Sequence, residues 1–538
     1  MKSINKKLII PMMSVMLVLG ATSCVNDLNT EPIDPNITQT FVQDDIFAKI
    51  YSSLAVTGQK GPDGKGDLDG IDEGFSHFYR LIWNLNELSS DEAICSWGDV
   101  DIPPTNFNQW TAAHGFVKGL YGRFYFNITL INHFLTQTTG LTDSKTIKQR
   151  AEARFMRALN YYYLLDMFGN VPFTEAVSDV PAPQMQRADL FKYVEKELNE
   201  CETDMYEPRT APYYRADKAA NWMIRSRLYL NAQVFTGTPR WDDAAIYAKK
   251  VIDSGYDLCP TFKQLFMADN AGLMDGSTVN KAPIEIILPI ACDGKQIQSW
   301  GNSLFLIAST HTAGMASWGT TEGWTGNRAR AALVKKFFPN PTSVFFGNSA
   351  DLTTAIGSTK DDRALFDKKS FSIGLNITDV GVFKQGYDVI KFSNVRADGN
   401  PSHDPKYTDT DIPFLRAAEA YLNYAEAVVR GGAKVGGYEA LTAINKIRTR
   451  AHCAKAITAT DITLDFILDE RAREFFFEGQ RRTDLIRFNK FGGTTGYTWD
   501  WKGGVAAGAD FSADFNIFPI PNSDLNANPN LKQNSGYN

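Results

Sequence analysis

Ser144-Lys145-Thr146-Ile147-Lys148-Gln149-Arg150-Ala151-Glu152-Ala153-Arg154-Phe155-Met156-Arg157-Ala158-Leu159-Asn160-Tyr161-Tyr162-Tyr163-Leu164-Leu165-Asp166 decides the architecture of this chain. Ala151, Phe155, Ala158, Tyr162 and Leu165 recur at three- and four-residue steps, so they share one face of an α-helix predicted over 145–168. Gly169-Asn170 stops that helix and Val171-Pro172 leads away from it. A related pattern returns over 218–232, in Ala219-Ala220-Asn221-Trp222-Met223-Ile224, and a partner helix is predicted over 241–254 after a short Gly-Thr-Pro turn. A third copy covers 415–427, in Ala417-Ala418-Glu419-Ala420-Tyr421-Leu422-Asn423-Tyr424-Ala425, with a partner over 437–449. Small Ala positions alternating with Tyr and Leu let paired helices approach closely, as in helix–turn–helix repeats of the tetratricopeptide type. The copies are unevenly spaced, which predicts a scaffold with large insertions rather than a regular solenoid.

Those insertions have a different texture. Residues 257–412 and 490–538 are rich in Gly, Asn, Asp, Thr and aromatics, with short strand-like runs such as Glu285-Ile286-Ile287-Leu288-Pro289. Long segments that do not build the scaffold are where binding function usually sits. The expected fold is mainly α: a tetratricopeptide-like helix-pair scaffold with loop-rich insertions carrying short strands. A first helix is expected within 41–54.

The N-terminal stretch has its own grammar. Lys2, Lys6 and Lys7 precede a short apolar run, and Ala21-Thr22-Ser23 leads into Cys24. The run is well short of the ~20 residues a spanning helix needs. This is the layout of a bacterial lipoprotein signal; an ordinary secretory signal is the alternative. Residues 1–23 are then removed and Cys24 becomes lipidated, each buried acyl CH₂ contributing ~0.8 kcal/mol to membrane anchoring. Residues 24–40, polar and carrying Pro32 and Pro35, read as a tether. Residues 41–538 read as one domain with binding insertions around 56–110 and 257–412.

Composition excludes several classes. The net charge of −6 supplies no cationic field for nucleic acid. The six cysteines are scattered without CxxC or zinc spacing, and no disulfide is predicted. The six histidines are dispersed, with no HExxH. Gly-x-Ser-x-Gly, P-loop and dinucleotide fingerprints are absent from the sequence. A glycoside hydrolase needs only two carboxylates, so it stays open as an alternative. Glu419, Glu426, Glu470, Glu474 and Glu478, however, lie near arginines and read as structural ion pairs. The run from Asp469 to Phe488 reads as a helix pair closing the scaffold.

Several motifs together carry a resemblance. They are Cys24 followed by Asp-Leu and Pro, Arg150-Ala-Glu-Ala-Arg-Phe-Met-Arg-Ala-Leu159, Arg416-Ala-Ala-Glu-Ala-Tyr-Leu-Asn-Tyr-Ala-Glu-Ala427, Glu478-Gly-Gln-Arg-Arg-Thr-Asp-Leu-Ile-Arg487 and Phe518-Pro-Ile-Pro-Asn522. In this order they resemble the RagB/SusD family of outer-membrane nutrient-binding lipoproteins, over nearly the whole mature chain. Val56-Thr-Gly-Gln-Lys-Gly61, Asp72-Glu73-Gly74, Gly319-Thr-Thr-Glu-Gly-Trp324 and Trp499-Asp-Trp-Lys-Gly-Gly504 resemble the starch-binding branch of that family.

The resemblance implies a non-enzymatic, surface-exposed, lipid-anchored protein of the outer membrane. It would capture starch or another α-glucan for a SusC-like TonB-dependent transporter. A SusD-like binder of a different glycan is the second reading. By the same resemblance Trp97, Trp300 and Trp324 form an aromatic arc for the sugar faces, and Arg80 and Asp72 bond hydroxyls. This chain departs from the pattern at Cys95, where the starch-binding relative has a second Trp. The loop after Trp97 is also one residue shorter, leaving Asp99 as the nearest substitute for a sugar-contacting Asn. No cofactor is expected. The family includes calcium-bearing members, but the stretch after Asp269-Asn270 diverges and assigns no metal ligands.

Overall fold

The computed structural model describes residues 41–313, 315–338, 357, 359–367 and 375–537. The predicted leader, Cys24 and the tether lie outside the described residues. The principal helices, in chain order, are α1 (Gln43–Ala55), α2 (Phe78–Trp83), α3 (Gly115–Gln137), α4 (Ser144–Met167), α5 (Arg187–Glu202) and α6 (Lys218–Leu230), then α7 (Trp241–Ile252), α8 (Ser303–Ala308), α9 (Ala418–Val429), α10 (Ala440–Arg450), α11 (Leu464–Phe475) and α12 (Arg481–Arg487). The short strands include β1 (Ala93–Cys95), β2 (Ile286–Ile290), β3 (Asn327–Ala329) and β4 (Ile412–Arg416).

Local chemistry sets the helix ends. The Asp143 carboxylate accepts from Thr146 N at 3.0 Å to start α4, and Asp217 accepts from Ala219 N and Ala220 N to start α6; such caps contribute about 1 kcal/mol each. Gly169, at φ 70°, provides the left-handed turn after α4. Helices α3, α4, α5 and α6 pack in succession, then α6 on α7, α7 on α9 and α9 on α10. The alanines that pattern the repeats explain the close approach: Ala219, Ala244, Ala245, Ala248, Ala420 and Ala425 are all fully buried. Ser226 of α6 even donates to the Ala244 carbonyl of α7, at 3.4 Å. The tetratricopeptide-like, mainly helical architecture is thus as the sequence predicts.

Two boundaries differ. Leu415 and Arg416 belong to β4, which pairs antiparallel with β2, and the helix begins only at Ala418. All five residues of β4 are buried, and a short apolar run buried on both faces has no periodicity to separate strand from helix. Gly436 and Gly437 take positive φ, so α10 starts at Ala440 rather than 437.

The carboxylates set aside as structural are indeed in ion pairs. Arg416, 1% exposed, bonds Glu285 at 2.8 Å, Glu474 at 2.6 Å and Glu478 at 2.7 Å. Arg487 pairs with Glu426 at 2.7 Å, and Glu419 pairs with Arg227. Glu470 pairs with Arg363 at 2.8 Å and Arg473 at 2.6 Å. Most partners come from different elements, so these pairs lock β4, α9, α11 and α12 together; removing one partner of such a pair costs about 3–5 kcal/mol. Cys95, Cys201, Cys259 and Cys292 are buried free thiols and Cys453 is half-buried.

Candidate functional site

The antiparallel ladder of β1 and β3 brings two distant loops together. Its register pairs Ala93 with Ala329, Ile94 with Arg328 and Cys95 with Asn327, and Ser96 N extends it by donating to Gly326 O at 2.9 Å. Trp97 therefore leaves one strand where Trp324 approaches the other. Their rings lie 6.3 Å apart between centroids. Trp97 Nε1 donates to Thr325 O at 2.9 Å, fixing the indole edge. Gly326 permits this approach: its φ is 117°, and a Cβ there would stand 2.1 Å from Trp97 Nε1.

The pedestal beneath is α8, six buried residues capped by the Asn302 side chain on Leu304 N. The Ala308 carbonyl at its end accepts from both Trp324 N (2.7 Å) and Thr325 N (3.0 Å). Leu304, Ala308 and Tyr407 form the small core on which Trp300 and Trp324 rest. Trp300 lies 6.0 Å from Trp324, and Tyr407 lies 5.5 Å from Trp300. Trp97, Trp324 and Trp300 thus form a continuous row, each half-buried, with Tyr407 buried at its end. Trp324 Nε1 donates to Glu322 at 2.8 Å, and the Lys406 ammonium stands 4.2 Å from the centroid of the Trp300 ring.

Arg80 sits under the row. It is 5% exposed, flanked by the rings of Phe75 (4.0 Å) and Phe305 (4.3 Å), and Nη1 donates to Trp300 O at 3.4 Å. Burial lowers its pKa to about 10, opposed first by the nearby Asp72 carboxylate and further by Asp99 and Glu73; it remains a cation at neutral pH. His77 caps the helix that carries Arg80. Its Nδ1 accepts from Tyr79 N and its Nε2 donates to Ala55 O, and burial lowers its pKa to about 3, so it is neutral.

Asp72 is exposed and accepts from Phe75 N at 3.3 Å. Asp99 is exposed beyond Trp97, its carbonyl accepting from Ile102 N. The structure therefore brings together the three predicted tryptophans with Arg80, and sets Asp72 and Asp99 as acidic groups at the edge. Cys95 is buried in β1, clamped by Asn106 at both backbone groups (3.1 and 2.8 Å). Trp318 donates to Glu322 O, Trp499 is buried and Trp501 donates to Ile377 O; none joins the row.

Three residues escaped the sequence reading. Glu73, 8% exposed, accepts from Thr57 Oγ1, from Ser299 Oγ at 2.9 Å and from Trp300 N at 3.2 Å. It ties the segment at Thr57 to the Trp300 loop, and nothing in Asp72-Glu73-Gly74 marks which acid points inward. Tyr407 and Lys406 come from a loop whose Pro405 and Lys406 carbonyls are bonded by Thr321 N and Thr320 Oγ1; that pairing is tertiary and leaves no local signal.

As for metals, Asp293, His403 and Asp409 bring ligand-type atoms within 4.8 Å of one another. The Asp409 carboxylate already accepts from Gly294 N (2.8 Å) and His403 N (2.7 Å), which accounts for its position as a loop anchor. Asp269 likewise accepts from Asn280 Nδ2, Ala397 N and Asp398 N. What the row offers chemically is a run of flat apolar faces with hydrogen-bonding groups at the rim, suited to a ligand that is apolar on one face and polar at its edge.

Comparison with known proteins agrees with this architecture. A profile of the SusD family matches residues 378–537. The chain is 43% identical to Starch-binding protein SusD of Bacteroides thetaiotaomicron, covering 99% of both chains. It is 24% identical to a SusD-like protein of Bacteroides ovatus over 78% of this chain and 73% of the other. Among solved structures, Surface glycan-binding protein A from Bacteroides thetaiotaomicron in complex with laminarihexaose superposes with a TM-score of 0.66 at 19% identity, over 91% of this chain and 98% of that one. Surface glycan-binding protein A from Bacteroides fluxus matches equally, at 0.66 and 20% identity over 92% and 99%. With its helix-pair scaffold, its order of motifs and that identity over nearly its whole length, the chain belongs to the SusD family.

Proposed function

We propose that this protein is a non-catalytic binder of starch-type α-glucans. It is held on the outer face of the outer membrane through lipidated Cys24 and hands glycan to a SusC-like TonB-dependent transporter. The observation that carries the reading is the row Trp97–Trp324–Trp300, with centroids 6.0–6.3 Å apart, in a chain so similar to a starch-binding protein. A coiled α-glucan presents a curved surface of C–H groups with hydroxyls along its rim. Successive tilted indoles, turned 57° and 46° to their neighbours, follow such a curve better than a flat ribbon. Burial of the C–H faces supplies affinity, while Glu322, Lys406, Asp72 and Asp99 bond hydroxyls around it. Binding of this kind needs no nucleophile and no acid–base pair, and Glu474, Glu470 and Glu426 of the helical scaffold are engaged by arginines.

A second glycan reading is favoured by one observation: a neighbour of the same fold carries laminarihexaose. Affinity electrophoresis in gels containing amylopectin, pullulan, dextran, laminarin or xylan separates the two. Retardation by amylopectin and pullulan is expected; retardation by laminarin alone would replace the starch reading. Steady release of reducing sugar from maltoheptaose would overturn the non-catalytic assignment.

A further inference from the structure

Beyond the Trp300 end of the row the surface opens into a cleft of about 1150 Å³. Its floor is apolar, with Phe47 and Ile290, and its rim carries Gln59, Lys60, Gln296 and His403. It is built against the row. The segment Gln296–Gln298 forms one wall of the cleft and runs directly into Trp300. That segment is held as a small hairpin: Asp293 and Ile297 form a bridge, and Gln298 Nε2 donates to Gly294 O at 2.5 Å. The opposite wall, Lys60 to Asp63, comes near it: a Cβ on Gly61 would lie 3.6 Å from Gln298 O. Glu73 bonds the base of both walls, Thr57 on one side and Ser299 and Trp300 N on the other. Burial raises the hydroxyl pKa of Tyr407, at the end of the row, and the Asp63 charge adds to it. His403 lines the cleft while Lys406, three residues on, covers Trp300.

We infer that this cleft is a second part of the binding track, taking the glucose residues of a longer α-glucan that extend past Trp300 and Tyr407. The inference rests on the glucan reading of the tryptophan row. Its lining mixes amides with charged groups of both signs, all able to bond the hydroxyls of a polyol. Gln59 and Gln296, both exposed, each present an amide donor and an amide acceptor, the combination that matches neighbouring sugar hydroxyls. The apolar floor takes the C–H face. A polymer leaving the row at the Tyr407 end would cross the rim where Gln59 and Gln296 are exposed.

The test compares maltotriose with maltodecaose by titration calorimetry on the full chain, Gln59→Ala/Gln296→Ala and Trp324→Ala. The parent should bind the longer chain more tightly. The double alanine variant should weaken maltodecaose binding by about fivefold or more, the loss of at least one net hydrogen bond, and leave maltotriose unchanged. Trp324→Ala should weaken both. If the double variant binds maltodecaose as the parent does while Trp324→Ala weakens both sugars, the cleft is no part of the track and the row alone binds. If the parent binds neither sugar, the glucan reading itself falls and the extension with it.

Discussion

Replacing Glu73 tests how the tryptophan row is held. Its carboxylate receives three donors, two hydroxyls on Oε1 and the Trp300 amide on Oε2. Glu73→Ala removes both acceptor oxygens, and with them all three hydrogen bonds, from a buried site. Each hydrogen bond to a charged group is worth about 1.5–3 kcal/mol, but water and side-chain rotation recover part of it, so a net loss of about 3–5 kcal/mol of stability is expected. The Trp300 loop also loses its link to Thr57, so glucan affinity should fall by about tenfold or more, about 1.4 kcal/mol. Glu73→Gln behaves differently. Its amide oxygen can take the Trp300 N–H, and its NH₂ can donate to Thr57 Oγ1 and Ser299 Oγ, because hydroxyls accept as readily as they donate. This variant should stay within about 1 kcal/mol of the parent, the scale of a neutral hydrogen-bond exchange, and keep most of its affinity. Urea denaturation gives stability at constant m, and calorimetry with maltoheptaose gives affinity. Parent-like glucan binding by Glu73→Ala, or equal damage from Gln and Ala, would refute this account of Glu73.

Trp324→Ala should abolish most glucan retention, about 2 kcal/mol or roughly 30-fold for a central aromatic anchor, with little change in urea midpoint because the ring is only half-buried; a large midpoint shift would make Trp324 a core residue. Gly326→Ala forces a methyl against Trp97 at a φ of 117° and should cost about 1–3 kcal/mol while altering tryptophan fluorescence; an unchanged spectrum would show that Trp97 does not depend on that glycine. The pH dependence of stability has a traceable part in Glu87, whose carboxyl burial pushes up to about 7. A raised carboxyl pKa means that its stabilising contribution is full below about pH 4.5 and is lost as pH rises through 7. Glu87→Gln should therefore remove part of the decline between those values, at most about 1.4 kcal/mol per pH unit, in urea melts across that range. A slope identical to the parent's would show that Glu87 does not titrate there.

The scaffold was legible because its signal is local: the alanine and tyrosine spacing of α4, α6 and α9 repeats within single helices. Strand β4 was not, because Ile412-Pro413-Phe414-Leu415 is buried on every side and carries no period. The tryptophans could be picked out by their Gly- and Asp-rich surroundings and by family resemblance, and the structure assembles them. Their supports could not be read. Glu73 looks no different from Asp72 in sequence, yet one is buried under Trp300 and the other faces solvent. Arg80, by resemblance a donor to sugar hydroxyls, is largely covered by Phe75 and Phe305, because those rings converge only in three dimensions.

The Ala308 carbonyl that accepts from both Trp324 N and Thr325 N belongs to a row drawn from loops near residues 97, 300, 324 and 407. The contact between Trp97 and Trp324 closes a long loop, whose entropy the folded state has to offset. Sugar recognition by this row would then depend on both ends of that loop being held together. By mass action, a ligand that binds the finished arrangement alone draws the folding equilibrium toward it. On the proposed function, bound glycan would therefore also stabilise the fold.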